Sequence, residues 1–273
     1  MSLRRVVRGA AIEAAWTATH LALYPLGIAR EHVPERRAAR TLDDLTPVQR
    51  GLVLGDASAA STPIVLVHGW VDNRSIFTLL RRQLSRRGFT HVVTLNYSVL
   101  THDVHRAAGR LASLVEELCA ATGHDRVHVV GHSMGGLVAR YYAQCLGGDD
   151  RVHTLVTLGT PHAGTHAARL FVGRALAQLR PGSRLMQELA EPAPGCRTRF
   201  VAYWSDIDHV VVPNESARLD HPDLDAREVC VRGVGHSSLP IDGRVVHEIA
   251  TTLARLENSG DSAPTIATWP ANA

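Results

Sequence analysis

The chain has 273 residues, a formal charge of +3 and 20% charged residues, which suits one α/β domain with a well-buried core and is too short for two typical enzyme domains joined by a linker. Its basic residues are scattered as arginine pairs rather than gathered into a stripe with interleaved aromatics, so nucleic acid is not an expected partner. The four cysteines, Cys119, Cys145, Cys196 and Cys230, lie singly, which argues against a metal ribbon or a dense disulfide framework, favours buried free thiols and leaves room for one disulfide at most.

Arg4, Arg5 and Arg8 precede a mostly apolar stretch, Ala10 to Ile28, as a basic flank precedes a hydrophobic segment. Glu13, Thr17, Thr19, His20 and Pro25 interrupt it, which is costly for the ~19 residues that would cross a hydrocarbon core. The expected structure is an amphipathic helix packed on the domain that follows. The alternatives are peripheral membrane association through residues 10–28, a membrane anchor or an uncleaved signal, and location is expected to be cytoplasmic or membrane-associated ahead of secreted. Residues 29–61, with Pro34, Asp43, Asp44 and Pro47, read as a polar connector that closes an N-terminal segment, 1–61. A catalytic domain is expected over 62–257.

From Pro63 onward strands and helices alternate. Pro63 to Val67 is a continuous apolar run, as in a parallel strand covered on both faces, and it ends at His68-Gly69. A helix over about 73–87 carries Ile76, Phe77, Leu80 and Leu84 on one side and stops at Gly88. His91 to Asn96 is the next strand; Thr101 then caps a helix with Val104, Ala108, Leu111, Val115 and Leu118 in register, closed by Gly123. Arg126 to Val130 reads as a buried strand, and Met134 to Leu146 as a helix. Between them stands Gly131-His132-Ser133-Met134-Gly135, the spacing of a nucleophile elbow, in which flanking glycines let strand and helix approach and a strained serine is pushed out at the strand end. Further strands are expected at 152–158, 199–204 and 228–231, then a helix over about 244–256. The fold class is therefore α/β, a mostly parallel doubly wound sheet with helices on both faces, and 258–273 is expected to be a disordered tail.

A serine hydroxyl is a weak nucleophile unless a base, an orienting carboxylate and oxyanion donors accompany it. In such sheets reactive groups gather beyond the carboxyl ends of strands. Two later junctions supply candidates: Ser205-Asp206-Ile207-Asp208 offers carboxylates, and Gly233-Val234-Gly235-His236 offers an imidazole. Ser133, Asp208 and His236 stand in the chain order of the α/β-hydrolase triad. The expected oxyanion donors are the backbone N–H groups of Met134 and of Trp70, with His68, Gly69, Gly131, His132 and Gly135 shaping the site. Asp206 remains a competitor for the acid.

Leu66-Val67-His68-Gly69-Trp70, the elbow, Gly159-Thr160-Pro161-His162-Ala163-Gly164-Thr165 and the Gly-x-Gly-His loop together resemble the bacterial lipase and esterase branch of the α/β-hydrolases, the triacylglycerol lipases, over roughly Pro63 to Leu256. The resemblance implies ester hydrolysis through an acyl-serine intermediate with no cofactor, Ser133 as nucleophile, His236 as base, and Asp208 as acid because Val210-Val211-Val212-Pro213 follows it. It also implies a lipid or small-molecule ester substrate. No long inserted lid is visible; only 167–196 could form a small helical cap, whose apolar residues Leu170, Phe171, Val172, Leu176, Leu179, Leu185, Met186 and Leu189 are expected to be divided between core and acyl groove. The sixteen histidines, including His102 with His105 and His162 with His166, lack convergent partners at ligand spacing, and Asp220, Asp223, Asp225 and Asp242 fit no known calcium loop, so no metal is expected. An acyltransferase or thioesterase using the same triad is the runner-up, and a noncatalytic binding protein on this fold comes behind it. Oligomeric state is not readable from the sequence.

Overall fold

The computed structural model describes residues 3–27, 61–97, 103–170, 173–255 and 267–269. Its centre is a seven-stranded parallel sheet in the order β2-β1-β3-β4-β5-β6-β7. The strands are β1 (Ile64–Val67), β2 (Val92–Leu95), β3 (Val127–His132), β4 (Val152–Leu158), β5 (Arg199–Ser205), β6 (Asp225–Val231) and β7 (Ala267–Trp269). The chain runs from β1 outward to β2 and then crosses to the other side as β3. The order therefore reverses beside β1, where open sheets of this kind gather ligands at their carboxyl ends.

Strand alternation splits the core into two layers. Val65 and Val67 face Leu111, Val115, Leu118 and Leu137, which come from α3 (Val104–Thr122) and α4 (Met134–Cys145). Ile64 and Leu66 face Leu80, Leu84, Ile249 and Leu253, which come from α2 (Thr78–Arg86) and α7 (Gly243–Leu253). Trp16 joins this second layer from α1 (Leu3–Leu23). The N-terminal helix thus packs on the domain, and no described helix is long and apolar enough to cross a membrane.

Several boundaries differ from expectation for local reasons. Asp103 caps α3, its Oδ1 accepting from the N–H groups of His105 at 2.9 Å and Arg106 at 3.2 Å, while Thr101 lies outside the described residues. The helix after β1 opens with a 3₁₀ turn, Arg74–Phe77, whose cap Asn73 accepts from Ser75 N–H. β6 begins at Asp225, before its apolar run, because its early residues pair through backbone with β5. Part of the tail expected to be disordered forms β7 beside β6; the rest lies outside the described residues.

The 167–196 stretch is no lid domain among its described residues. It holds a 3₁₀ turn (His166–Arg169), α5 (Arg174–Ala177) and α6 (Arg184–Glu188). Leu176, Leu179, Leu185, Met186 and Leu189 are all buried in the first core layer, and Met186 and Leu189 also touch a surface cavity between Arg140, His162 and His221. Leu170 is 82% exposed, and Phe171 and Val172 lie outside the described residues.

Candidate active site

Ser133 sits between β3 and α4 at φ 54°, ψ −126°, a region that costs a non-glycine residue about 1–3 kcal/mol and persists only where its surroundings over-determine it. They do so here. Ser133 N–H donates to Leu158 O at 2.8 Å, and Ser133 O accepts from Thr160 Oγ1 at 3.0 Å. A Cβ on Gly131 would fall 2.5 Å from Gly136 Cα, and one on Gly135 would strike the carbonyl oxygens of Val67 and His68. The glycines thus let α4 close onto β3 and β1. The loop after β1 lies against the serine: a Cβ on Gly69 would stand 3.4 Å from Ser133 Oγ.

His68 fixes that loop rather than presenting a base. Its ring stacks on Tyr97 at 4.2 Å, Nδ1 lies 3.0 Å from Gly69 O, and Nε2 accepts from Tyr97 N–H at 3.3 Å. Trp70 follows, packed against the core. Next comes Val71, which with Ser133 makes up the described non-glycine residues at positive φ. Met134 N–H belongs to the first turn of α4, where N–H groups have no intrahelical acceptor and the helix dipole favours an anion.

The loops after β5 and β6 bring the other two residues together. His236 Nδ1 donates to Asp208 Oδ2 at 2.7 Å, and both side chains are buried. Asp208 Oδ1 accepts from Val210 N–H at 2.8 Å and Val211 N–H at 2.9 Å. With Nδ1 so engaged, Nε2 is the nitrogen left to accept a proton. Burial pushes the Asp208 carboxyl up, but the charge and hydrogen bond of His236 and the two backbone donors outweigh it and hold Asp208 below the usual carboxylate range. Burial likewise pushes His236 down, and Asp208, aided by Glu13 and Asp72, overcomes it and leaves the imidazole above its ordinary value.

Asp206, the competing acid, does other work: its Oδ1 accepts from Gly233 N–H at 2.8 Å and so braces the histidine loop. His132 stacks obliquely on His236 with centroids 4.9 Å apart, its Nε2 lies 3.2 Å from His236 O, and its Nδ1 is 3.5 Å from Asp72 Oδ2. Gly159, at φ 57°, passes so close that a Cβ would lie 3.0 Å from His236 Nδ1 and 3.2 Å from Asp208 Oδ2. Sequence reading missed Asp72 and Glu13, whose carboxylate reaches the residues just after His236, and placed Gly159 in a motif without giving it a role at the site.

The remaining candidates are structural. His162 is buried, with Nε2 at 3.0 Å from Thr157 Oγ1. Asp223 accepts from Ala193 N–H at 2.8 Å, and Asp242 caps α7. Among the described residues no group of three or more His, Cys, Asp and Glu is placed to hold a metal, and the four cysteines are free thiols.

Comparison with known proteins supports the fold. Residues 62–182 match the family model of the alpha/beta hydrolase fold. A triacylglycerol lipase of Burkholderia plantarii is 31% identical over 124 residues, 42% of this chain and 34% of that lipase. A palmitoyl-protein thioesterase-dolichyl pyrophosphate phosphatase fusion of Schizosaccharomyces pombe is 27% identical over 122 residues, 41% of this chain and 20% of the fusion. The chain thus spans about a third or less of the length of these relatives. Among solved structures, the mature form of a Bacillus licheniformis lipase superposes with a TM-score of 0.60 at 19% identity, covering 71% of this chain and 92% of that one.

Proposed function

We propose that this chain, whose fold is that of the α/β-hydrolases, is a serine carboxylic-ester hydrolase of the lipase and esterase kind, with Ser133, His236 and Asp208 as its triad. One observation carries the reading: the buried Asp208–His236 pair at 2.7 Å, packed on His132 of the elbow, whose next residue, Ser133, is held in strained backbone at the end of β3. In the proposed cycle Ser133 Oγ attacks the ester carbonyl carbon and His236 Nε2 takes the hydroxyl proton. The oxyanion is met by Met134 and Trp70 N–H, and Asp208 stabilises the imidazolium. The imidazolium then protonates the departing alkoxide, leaving an acyl-serine. Water, deprotonated by His236, attacks the acyl carbon, and Ser133 leaves with the proton that restores its hydroxyl. Besides the ester and one water, every step uses groups of this chain, and no cofactor is called for.

The favoured acyl group is apolar. Val71, Val210 and Val212 are exposed close in sequence to site residues, Val71 next to Trp70 and Val210 and Val212 two and four residues after Asp208, and Leu170 is exposed as well. A thioesterase is the second reading, favoured by the thioesterase named among the relatives; its acyl-serine would be the same and only the leaving group would differ.

The test is labelling by a fluorophosphonate, followed by a series of p-nitrophenyl esters and matching acyl thioesters. Wild type should be labelled at Ser133, and Ser133→Ala should lose on the order of 10⁴-fold or more in kcat. At about 0.8 kcal/mol per buried methylene, kcat/KM should rise on the order of a hundredfold from butanoate to octanoate. An unlabelled Ser133 refutes the serine-hydrolase reading, a flat series refutes the lipid-ester reading, and preference for the thioesters moves the assignment to thioesterase.

A further inference from the structure

We infer that Glu13 is a positioning residue for His236, delivered by α1 to the loop that carries the imidazole. Its carboxylate accepts from Ser237 N–H at 2.7 Å, from Ser238 N–H at 3.0 Å and from Ser238 Oγ–H at 2.6 Å. The first two are consecutive backbone donors immediately after His236, so they fix the chain that sets the direction of the ring. The loop is shaped to admit this carboxylate: a Cβ on Gly235 would collide with Glu13 Oε2. Two further residues place α1 for the task. Gly9 packs where a Cβ would be 2.7 Å from both Gly233 O and Ile207 Cδ1, which belong to the histidine and acid loops, and Trp16 is buried in the core. Positions 9, 13 and 16 lie on one helix face, so a single seam runs from the acid loop through the histidine loop into the core.

Position and charge act together. Four groups face His236: Asp208 from the loop after β5, Asp72 from the loop after β1, His132 from the elbow, and Glu13 from α1. Asp208 orients the ring through Nδ1, whereas Glu13 holds the backbone behind it and adds its negative charge to those of Asp208 and Asp72 in favouring the imidazolium. Removing that charge lowers the pH at which His236 becomes a base. A residue that merely fastens α1 to the domain would not do this.

The catalytic consequence rests on the hydrolase reading, but the effect on the imidazole does not. In the full chain, Glu13→Gln should lower the ¹⁵N NMR titration midpoint of the His236 ring by roughly 0.5 pH unit, as expected on removing a part-buried neighbouring charge. The acid limb of kcat/KM should move down with it, and plateau kcat should fall about tenfold with KM changed by less than about twofold. Gly235→Ala, which drives a methyl group into the carboxylate while leaving α1 intact, should reproduce both shifts. An unchanged His236 midpoint in both variants, whatever happens to the melting temperature, overturns the assignment. A shifted midpoint in a protein that hydrolyses no ester or thioester upholds Glu13 and refutes the hydrolase reading instead.

Discussion

The elbow that presents Ser133 and the loop that presents His236 reach the same site by opposite means. The elbow is held by the sheet it grows from: Gly131 against Gly136, Gly135 against the end of β1, and Ser133 N–H on Leu158 O all lie within the β1-β3-β4 centre. The histidine loop, beyond β6, has no such support from its own strand. It is braced from outside, by Asp206 on Gly233, by Ser205 Oγ on Val234 O, by His132 on His236 O and by Glu13 on Ser237 and Ser238. A strained residue needs close packing to stay strained, while a base needs a fixed direction and a tuned charge, which hydrogen bonds and neighbouring carboxylates supply.

That contrast can be tested from each side. On the histidine side, Asp208→Asn should reduce kcat about 10⁴-fold, since an amide presents the wrong group to Nδ1. Asp206→Asn, which keeps an oxygen for Gly233 N–H, should cost about tenfold or less. A reversed order in paired kinetic assays would transfer the acid role to Asp206. On the elbow side, Gly135→Ala forces a methyl group into two backbone carbonyls, which cannot swing aside as a side chain can. It should destabilise the fold by about 3 kcal/mol in denaturant melts, while any folded fraction keeps the acid limb of its pH profile.

The smallest effect is the pH limb itself. His236 has its pKa raised above the ordinary 6.5 and must be neutral to accept the serine proton, so kcat/KM should fall as pH drops through a midpoint above about 6.5. Stability runs the other way. A raised folded-state pKa contributes stability that is fully present below the unfolded value and lost as pH rises through the folded one. Activity therefore grows over the window in which this contribution to stability declines, and a pH series of melts alongside rates would show both.

Much of this was legible in the sequence because the responsible forces are local. Apolar runs mark β1, β3 and β4, glycine spacing marks the elbow, and the Gly-x-Gly-His loop marks the imidazole. What escaped has no local signature. Asp225 to Arg227 extend β6 through backbone pairing rather than through an apolar pattern. In sequence Asp208 is preferred to Asp206 on the resemblance alone; what sequence cannot supply is the geometry, in which Asp208 meets His236 and Asp206 meets Gly233. Glu13 reads in sequence as an interruption of an apolar helix, and its partner loop lies more than two hundred residues away. The division of the 167–196 apolar residues between core and groove had no local signature either, since helical spacing reports that a face is apolar but not what covers it.

The reach of α1 has a consequence for synthesis. The bond from Ser237 N–H to Glu13 closes 224 residues of chain, and contacts of such separation form only after the entropy of a long loop has been overcome. On a growing chain α1 emerges first and the loop it grips among the last, so Glu13 must wait through the appearance of six strands. The elbow, whose contacts lie within about a hundred residues, can assemble while the imidazole is still within the ribosome. Ser133 is thus in place before His236 is, and the proposed hydrolytic competence would arrive late in translation, when α1 finds the loop that carries the imidazole.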